Sequence, residues 1–291
     1  MNKVVAVGNF DGVHRGHQAI LAAARDMAGP MGTVIAVTFW PHPLSVLQPG
    51  KAPPLLCEIE DRVSLLRSAG ADEVSIVEFT PALGAWSPAQ FVERVLCPLD
   101  PAVVVVGQNF RFGAGASADG NRMRELAEGR FDVRVLDMIC DGGPVSSSRI
   151  RSALAEGDPE SAEKMLGRWF RYSGIVVLGD QRGRALGFPT ANLTVPPMRA
   201  CPADGVYAGY LVCEDQTWPA AVSVGVNPTF DGVQRRVEAH ALDRTDLKLY
   251  GARVGVDFVT RLRGQIHFSS KDELVDHLSR DVDATRLILS S

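Results

Sequence analysis

The stretch Val4-Val5-Ala6-Val7-Gly8-Asn9-Phe10-Asp11-Gly12-Val13-His14-Arg15-Gly16-His17 decides how the first half of the chain folds. Its apolar start reads as a strand. The residues after it place Ile20, Leu21, Ala24, Met27 and Ala28 on one side of a helical pattern. The spacing predicts a strand, a tight glycine turn and the first turn of a helix. His14 and His17 are three apart, so on a helix they share one face. The free N–H groups and positive dipole end of a helix start favour an anion at the same place. Two imidazoles, flexible glycines and a helix N-terminus suit a polyphosphate whose charge shifts during reaction. The bland alternative is a glycine turn with two incidental histidines.

Outward from this stretch, the first half alternates strands and helices. Short β-branched apolar runs at 4–7, 34–39, 74–77, 103–106 and 133–136 suit strands buried on both faces. Helical patterns lie between them, near 17–28, 58–69, 87–96 and 119–128, and Ser87-Pro88 places proline at the first position of the third. The alternation predicts an α/β unit, a parallel sheet with helices on both faces. Ligands of such sheets sit beyond the carboxyl ends of the strands. The loops with His14, with Pro41-His42-Pro43 and with Gly107-Gln108-Asn109 all follow strands at that end.

The pattern changes near Gly167, after a helical stretch at 158–166. Strand-like segments near 171–178, 205–213, 218–226, 235–242 and 252–263 succeed one another without crossover helices. They predict an antiparallel sheet or small barrel. A closing helix starts at Ser270, with Glu273 at capping-box spacing and Leu274, Leu278 and Val282 every four residues. The expected domains are residues 1–166 and 167–291.

Composition is that of an ordinary soluble protein: 291 residues, 46% hydrophobic, 22% charged, net charge −4. There is no basic stripe, no apolar run long enough to span a bilayer and no signal-peptide pattern, so neither nucleic acid nor membrane is an expected partner. Five scattered cysteines without C-x-x-C spacing predict no disulfide frame or zinc site, and a cytoplasmic setting.

Gly8-x-Phe10-Asp11-x-x-His14-x-Gly16-His17 resembles the HxGH signature of nucleotidylyltransferases. Three further segments carry polar groups: Phe39-Trp40-Pro41-His42-Pro43, Gly107-Gln108-Asn109-Phe110-Arg111-Phe112-Gly113, and Val145-Ser146-Ser147-Ser148-Arg149-Ile150-Arg151. The last opens a helix with hydroxyls and an arginine, a setting suited to phosphates. Ser146 to Ser148 read equally as a plain N-cap, and Phe110 and Phe112 as core. Together these segments resemble the N-terminal module of the bacterial bifunctional riboflavin kinase/FMN adenylyltransferase family, the prokaryotic FAD synthetases. Val145 and Ser148 replace the Ile and Thr of that family's ISSTxIR pattern. The resemblance implies transfer of AMP from ATP to FMN, with His14, His17 and Arg151 catalytic. Gly8, Phe10, Asp11, Gly16, Asn109, Ser147 and Ser148 would hold nucleotide, and Pro41 and Phe110 would wall the flavin.

The second half contains Gly183-Arg184-Ala185-Leu186-Gly187-Phe188-Pro189-Thr190-Ala191-Asn192. Thr190 and Asn192 are two apart and reach one face of an extended segment. Their oxygens are hard ligands of the kind Mg²⁺ takes beside phosphates. A turn with a buried Thr is the bland reading. The run resembles the PTAN signature of riboflavin kinases. Asp204-Gly205-Val206-Tyr207-Ala208, Ser223 to Phe230, Val237-Glu238-Ala239-His240, Leu249-Tyr250-Gly251 and Arg261-Leu262-Arg263 follow in the family's order.

The resemblance implies a six-stranded barrel that makes FMN from riboflavin and ATP·Mg²⁺. Gly183, Gly187 and Pro189 would touch nucleotide, Thr190 and Asn192 metal, and Arg261 flavin. Glu238 would be the base; without the resemblance it reads as a surface glutamate between buried Val237 and Ala239. Two departures stand out. Arg244 replaces an aromatic in the family's loop, and Cys57 to Arg62 differ from its Thr-rich helix start with little expected consequence. A kinase with a decayed first module, or a non-catalytic flavin or nucleotide binder, are the alternatives.

Overall fold

The computed structural model describes residues 2–179, 187–229 and 232–290. The chain divides into two compact units, Met1–Ser147 and Ser148–Ser291.

In the first unit the order is β1 (Lys3–Val7), α1 (Arg15–Ala28), β2 (Thr33–Trp40), α2 (Pro43–Leu47), α3 (Ile59–Ser68), β3 (Glu73–Glu78), α4 (Pro81–Gly84), α5 (Pro88–Phe91), β4 (Val103–Gly107), α6 (Gly120–Ala127) and β5 (Asp132–Leu136). The strands form one parallel sheet in the order β3-β2-β1-β4-β5. Strand alternation splits the core. Val4 and Ala6 pack with Leu21, Ala24 and Leu66 on one face, and Val5 and Val7 pack with Phe91, Val92 and Met123 on the other. The chain runs from β1 to β3 one way and from β4 to β5 the other. The switch between β1 and β4 therefore opens a crevice at their carboxyl ends, where ligands bind such sheets.

Two expectations need correction. The runs at 74–77 and 133–136 are not central strands: β3 and β5 are the edges, and Ile76 is 47% exposed. The helix expected over 87–96 is α5 with its Ser87–Gln90 capping box, continued by a π-helical turn at Val92–Leu96.

In the second unit, α7 (Ser147–Glu156, opening at the division) and α8 (Pro159–Leu166) precede β6 (Phe170–Ile175), β7 (Ala191–Thr194), β8 (Gly205–Cys213), β9 (Gln216–Thr229), β10 (Gly232–Ala241), β11 (Arg253–Arg263) and α9 (Lys271–Leu289). The six strands pair antiparallel in the order β6-β11-β8-β9-β10-β7. The two ends of that order meet. Val177 N donates to Asn192 O at 2.8 Å, and the Tyr172 hydroxyl donates to Thr194 O at 2.7 Å, which closes a small barrel. Tyr207, Val222, Val237, Val256 and Phe258 are all fully buried. A bidentate pair, Arg263 with Asp281 at 2.9 and 2.7 Å, fastens α9 to β11. The cap of α9 is half the expected box. Ser270 Oγ accepts from Glu273 N, but the Glu273 carboxylate turns to Ser269 instead.

All five cysteines are free thiols. Among the described residues, no helix is long and apolar enough to cross a membrane.

Candidate active sites

The loop between β1 and α1 is tightly wound. Phe10 (φ 51°), Gly12 (φ 81°) and Val13 (φ 39°) all take left-handed backbone, which is costly for a β-branched residue such as Val13. Surrounding contacts hold it there. Val13 N donates to Phe10 O at 3.1 Å. The buried Asp11 carboxylate accepts from Leu56 N at 3.0 Å and Cys57 N at 3.3 Å, while Ser147 Oγ donates to Asp11 O at 2.9 Å. Gly12 leaves no room for a side chain, since a Cβ there would meet Leu56 at 2.7 Å. The ring of Phe10 lies over Gly8 in the same way, 2.9 Å from where a Cβ would be.

This turn delivers His14 to the N-cap of α1 and His17 to its first turn. Their rings stack at 3.6 Å with a 19° tilt, and Phe10 meets His17 edge-on at 5.2 Å. Gly16 makes the stack possible, because a Cβ there would stand 3.1 Å from the His14 ring. His17 Nδ1 is buried with no hydrogen-bond partner among the described residues. Burial, then His14, then Arg62 hold the His17 pKa well below its ordinary 6.5. The site thus presents a neutral His17 imidazole beside His14 at a helix start, able to meet an anion.

Pro41 is exposed after β2, and the neighbouring His42 spends its Nδ1 on Leu44 N at 3.1 Å as the cap of α2. Asn109 follows β4 and is exposed, its Nδ2 against Met138 Sδ at 2.6 Å. Phe112 is core, against Phe91. Phe110 is half-buried and stacks on Phe112 at 5.8 Å. Ser148 and Arg151 lie on α7, one residue and one turn beyond Ser147.

Sequence reasoning passed over Arg62. Arg62 is fully buried and 3.7 Å from Asp11. Cys57 Sγ takes Gly12 N at 3.2 Å, and burial pushes the thiol up to about 11.

In the second unit, the segment before β7 carries the other polar set. Asn192 is buried. Its Nδ2 donates to Thr190 O at 3.2 Å and Thr190 Oγ1 at 3.0 Å, while its Oδ1 has no donor among the described residues. A glycine underlies it: a Cβ at Gly179 would lie 2.5 Å from Asn192 Cγ. Pro189 O accepts from His240 Nδ1 at 2.8 Å. Gly187 takes left-handed backbone at φ 89° with open space around it, and Gly183 lies outside the described residues.

Glu238 sits directly opposite Asn192 in the β7–β10 ladder, so the two share a sheet face. It is half-buried between fully buried Val237 and Ala239. A cleft of about 500 Å³ is lined by Pro189, Thr190, Asn192, Ala239 and the 244–250 loop; Glu238 is not part of its wall. Arg244 is tied to Asp246 at 2.8 and 3.0 Å and lies over Trp218 at 5.4 Å, so the cation occupies an aromatic face. Arg261 donates to Asp204 O at 2.9 Å and packs beneath Gly157 and Gly205, where it braces the unit.

Both halves match known families. Residues 1–149 match the FAD synthetase model and residues 166–289 the riboflavin kinase model. The chain is 35% identical over 285 residues to the bifunctional riboflavin kinase/FMN adenylyltransferase of Escherichia coli K12, covering 96% of this chain and 90% of that one. It is 36% identical over 290 residues to the Pseudomonas fluorescens enzyme of that name, covering 98% and 92%. A solved structure described as a macrolide-efflux protein from Streptococcus pneumoniae superimposes with a TM-score of 0.88 at 31% identity, covering 98% of this chain and 94% of that one. Matched from end to end by such relatives, the chain belongs to the family of bifunctional riboflavin kinase/FMN adenylyltransferases.

Proposed function

We propose that residues 167–291 phosphorylate riboflavin to FMN and that residues 1–166 transfer AMP from ATP to FMN, giving FAD and pyrophosphate. The functional division falls at 166/167, and the work is done in the cytoplasm, where ATP and flavins meet. With a net charge of −4, nucleic acid has no part in it.

Adenylyl transfer needs no base, because the FMN phosphate that attacks the α-phosphorus is already an anion. It needs alignment and donors aimed at the charge of departing pyrophosphate. His14 and His17 supply ring N–H donors at the α1 start. The free N–H groups there, with Gly8, Phe10, Asp11 and Gly16 shaping the turn, receive the phosphates. Ser147 and Ser148 add hydroxyls, and Arg151 answers the negative charge that builds on the leaving group. Asn109 orients the nucleotide; Pro41 and Phe110 flank the flavin.

Phosphorylation of riboflavin is different, because an alcohol is a poor nucleophile. Glu238 takes the ribityl hydroxyl proton as the oxygen attacks the γ-phosphorus and ADP leaves. The donor set beside it fits a hard divalent cation, since Asn192 Oδ1 is a buried acceptor without a donor next to the Thr190 hydroxyl. Thr190 and Asn192 would hold Mg²⁺, which when bound neutralises charge across the ATP phosphates. Gly183, Gly187 and Pro189 border the nucleotide, and Arg261 acts on the flavin side through the Asp204 segment.

The observation that carries this reading is the register that sets Glu238 opposite Asn192, whose buried Oδ1 has no donor among the described residues. Incubation with ATP, Mg²⁺ and riboflavin tests it. FMN and FAD both accumulate if the reading holds; FMN alone marks a decayed first unit, and neither product marks a binder without turnover.

A further inference from the structure

Among the described residues Arg62 is the largest fully buried side chain, with no exposure to solvent. It stands in the first turn of α3, beside Glu60 and Asp61. A guanidinium so placed is expensive unless its charge and donors are met. One nitrogen, Nη1, is well used. It donates to Asn9 O at 3.0 Å, to Phe39 O at 3.2 Å and to Thr38 Oγ1 at 3.3 Å. Thr38 Oγ1 in turn donates to Asn9 O at 3.0 Å. Nη2 lies 3.7 Å from Asp11 Oδ1, and the cation lies 5.6 Å from the centre of the Trp40 ring.

These partners fall into two groups. Asn9 and Asp11 belong to the turn that presents His14 and His17. Thr38, Phe39 and Trp40 form the carboxyl end of β2, which leads to Pro41. One side chain from α3 therefore braces the histidine turn against the neighbouring strand end.

Stability does not account for the choice. Among the described residues Arg62 Nε and Nη2 have no hydrogen-bond partner, and neither do Asn9 Oδ1 and His17 Nδ1 in the turn it braces. Apolar replacement of a buried ion pair is often neutral or stabilising, so an incompletely bonded one calls for another reason. The turn it holds is strained at Phe10 and Val13 and would relax if released.

We infer that Arg62 is a positioning residue for adenylyl transfer, a cross-brace that holds the Asn9–Val13 turn against the end of β2 and so fixes the stacked His14 and His17. The inference rests on the proposed role of the first unit. Arg62 acts through that turn and not on substrate. The charged and titratable groups around His17 are His14, Arg62 and, beyond Arg62, Asp11 and Cys57. After burial and His14, the positive charge of Arg62 lowers the His17 pKa further.

The test uses the full chain with Arg62→Lys and Arg62→Met, assayed for FAD from FMN and ATP across pH, with FMN formation as the internal control. Lysine keeps the charge beside Asp11, but one ammonium cannot reproduce the fork. Arg62→Lys is expected to lower kcat for FAD about 10- to 100-fold, the scale of a small misplacement, with KM for ATP little changed. Its pH profile stays where it is. Arg62→Met loses kcat similarly and also moves the limb that His17 governs to higher pH, because a cation next to the imidazole is gone. Riboflavin phosphorylation stays at the wild-type rate in both. Wild-type kcat in Arg62→Lys overturns the inference. So does equal loss of kcat and ATP affinity in both variants, the mark of a purely structural residue. A wild-type protein that makes no FAD would instead sink the proposed function.

Discussion

His14 and His17 stack face to face, ring centroids 3.6 Å apart, and the buried Arg62 bears on His17 electrostatically. Two imidazoles at that distance cannot both be charged without a counter-anion, and burial already holds His17 neutral. This has a consequence for stability. The unfolded chain takes up the His17 proton as pH falls through about 6.5. The folded chain does not until lower pH, so the unfolded state binds more protons in that window and folding weakens as pH drops below 6.5. The loss from this one group is at most about 1.4 kcal/mol per pH unit. Thermal unfolding of the full chain at stepped pH checks it: His17→Gln should remove part of the acid sensitivity. An identical pH dependence in the variant would show that His17 carries none of it.

The same histidine should matter for only one of the two reactions. His17→Ala removes a donor from the α1 start while leaving the second unit untouched. FAD formation from supplied FMN should fall by about 10²- to 10³-fold, the size expected for one lost charge-stabilising donor. FMN formation should be unchanged. Wild-type FAD synthesis in the variant would remove that imidazole from the chemistry.

Glu238→Gln makes the opposite separation. The amide keeps the shape of the side chain opposite Asn192 but cannot accept the ribityl proton. FMN formation should drop about 10²- to 10⁴-fold, while FAD made from added FMN continues. If both activities fell together in a folded variant, the two sites would not be separate.

The turn from Gly8 to His17 was readable in the sequence because its glycines and histidines are close in the chain and each has a local reason. The barrel was legible as a succession of strands, but β7 appeared only as an extended segment around Thr190 and Asn192. Four residues carry too little periodicity to announce a strand. Edge strands β3 and β5 read like central ones because their β-branched composition is the same; only pairing distinguishes them. Arg62 was invisible for a different reason. Beside Glu60 and Asp61 at a helix start it reads as part of a solvated face. Its burial depends on Asn9, Asp11 and Thr38, at least 24 residues away in sequence. Arg244 was legible as a departure from the family's loop. The role Trp218 gives it, a face to lie on, is a tertiary fact.

Gly179 offers a test of the second site in which no proposed ligand residue is itself substituted. Its backbone lies so close to Asn192 that a Cβ would stand 2.5 Å from Cγ and Nδ2 and 2.6 Å from Oδ1. The amide would have to swing aside and give up its bonds to Thr190. The position itself tolerates alanine, since its φ lies outside the left-handed region. Gly179→Ala should therefore act on the Asn192 side chain rather than on the backbone. It should lower FMN formation about 10- to 100-fold and raise the Mg²⁺ concentration needed, as a displaced ligand does. FAD formation from FMN should be unaffected. Chelation of Mg²⁺ should silence FMN formation in both proteins, and excess Mg²⁺ should restore the variant in part. A variant with the wild-type Mg²⁺ requirement and rate would mean that Asn192 Oδ1, buried and without a donor, serves something other than the metal.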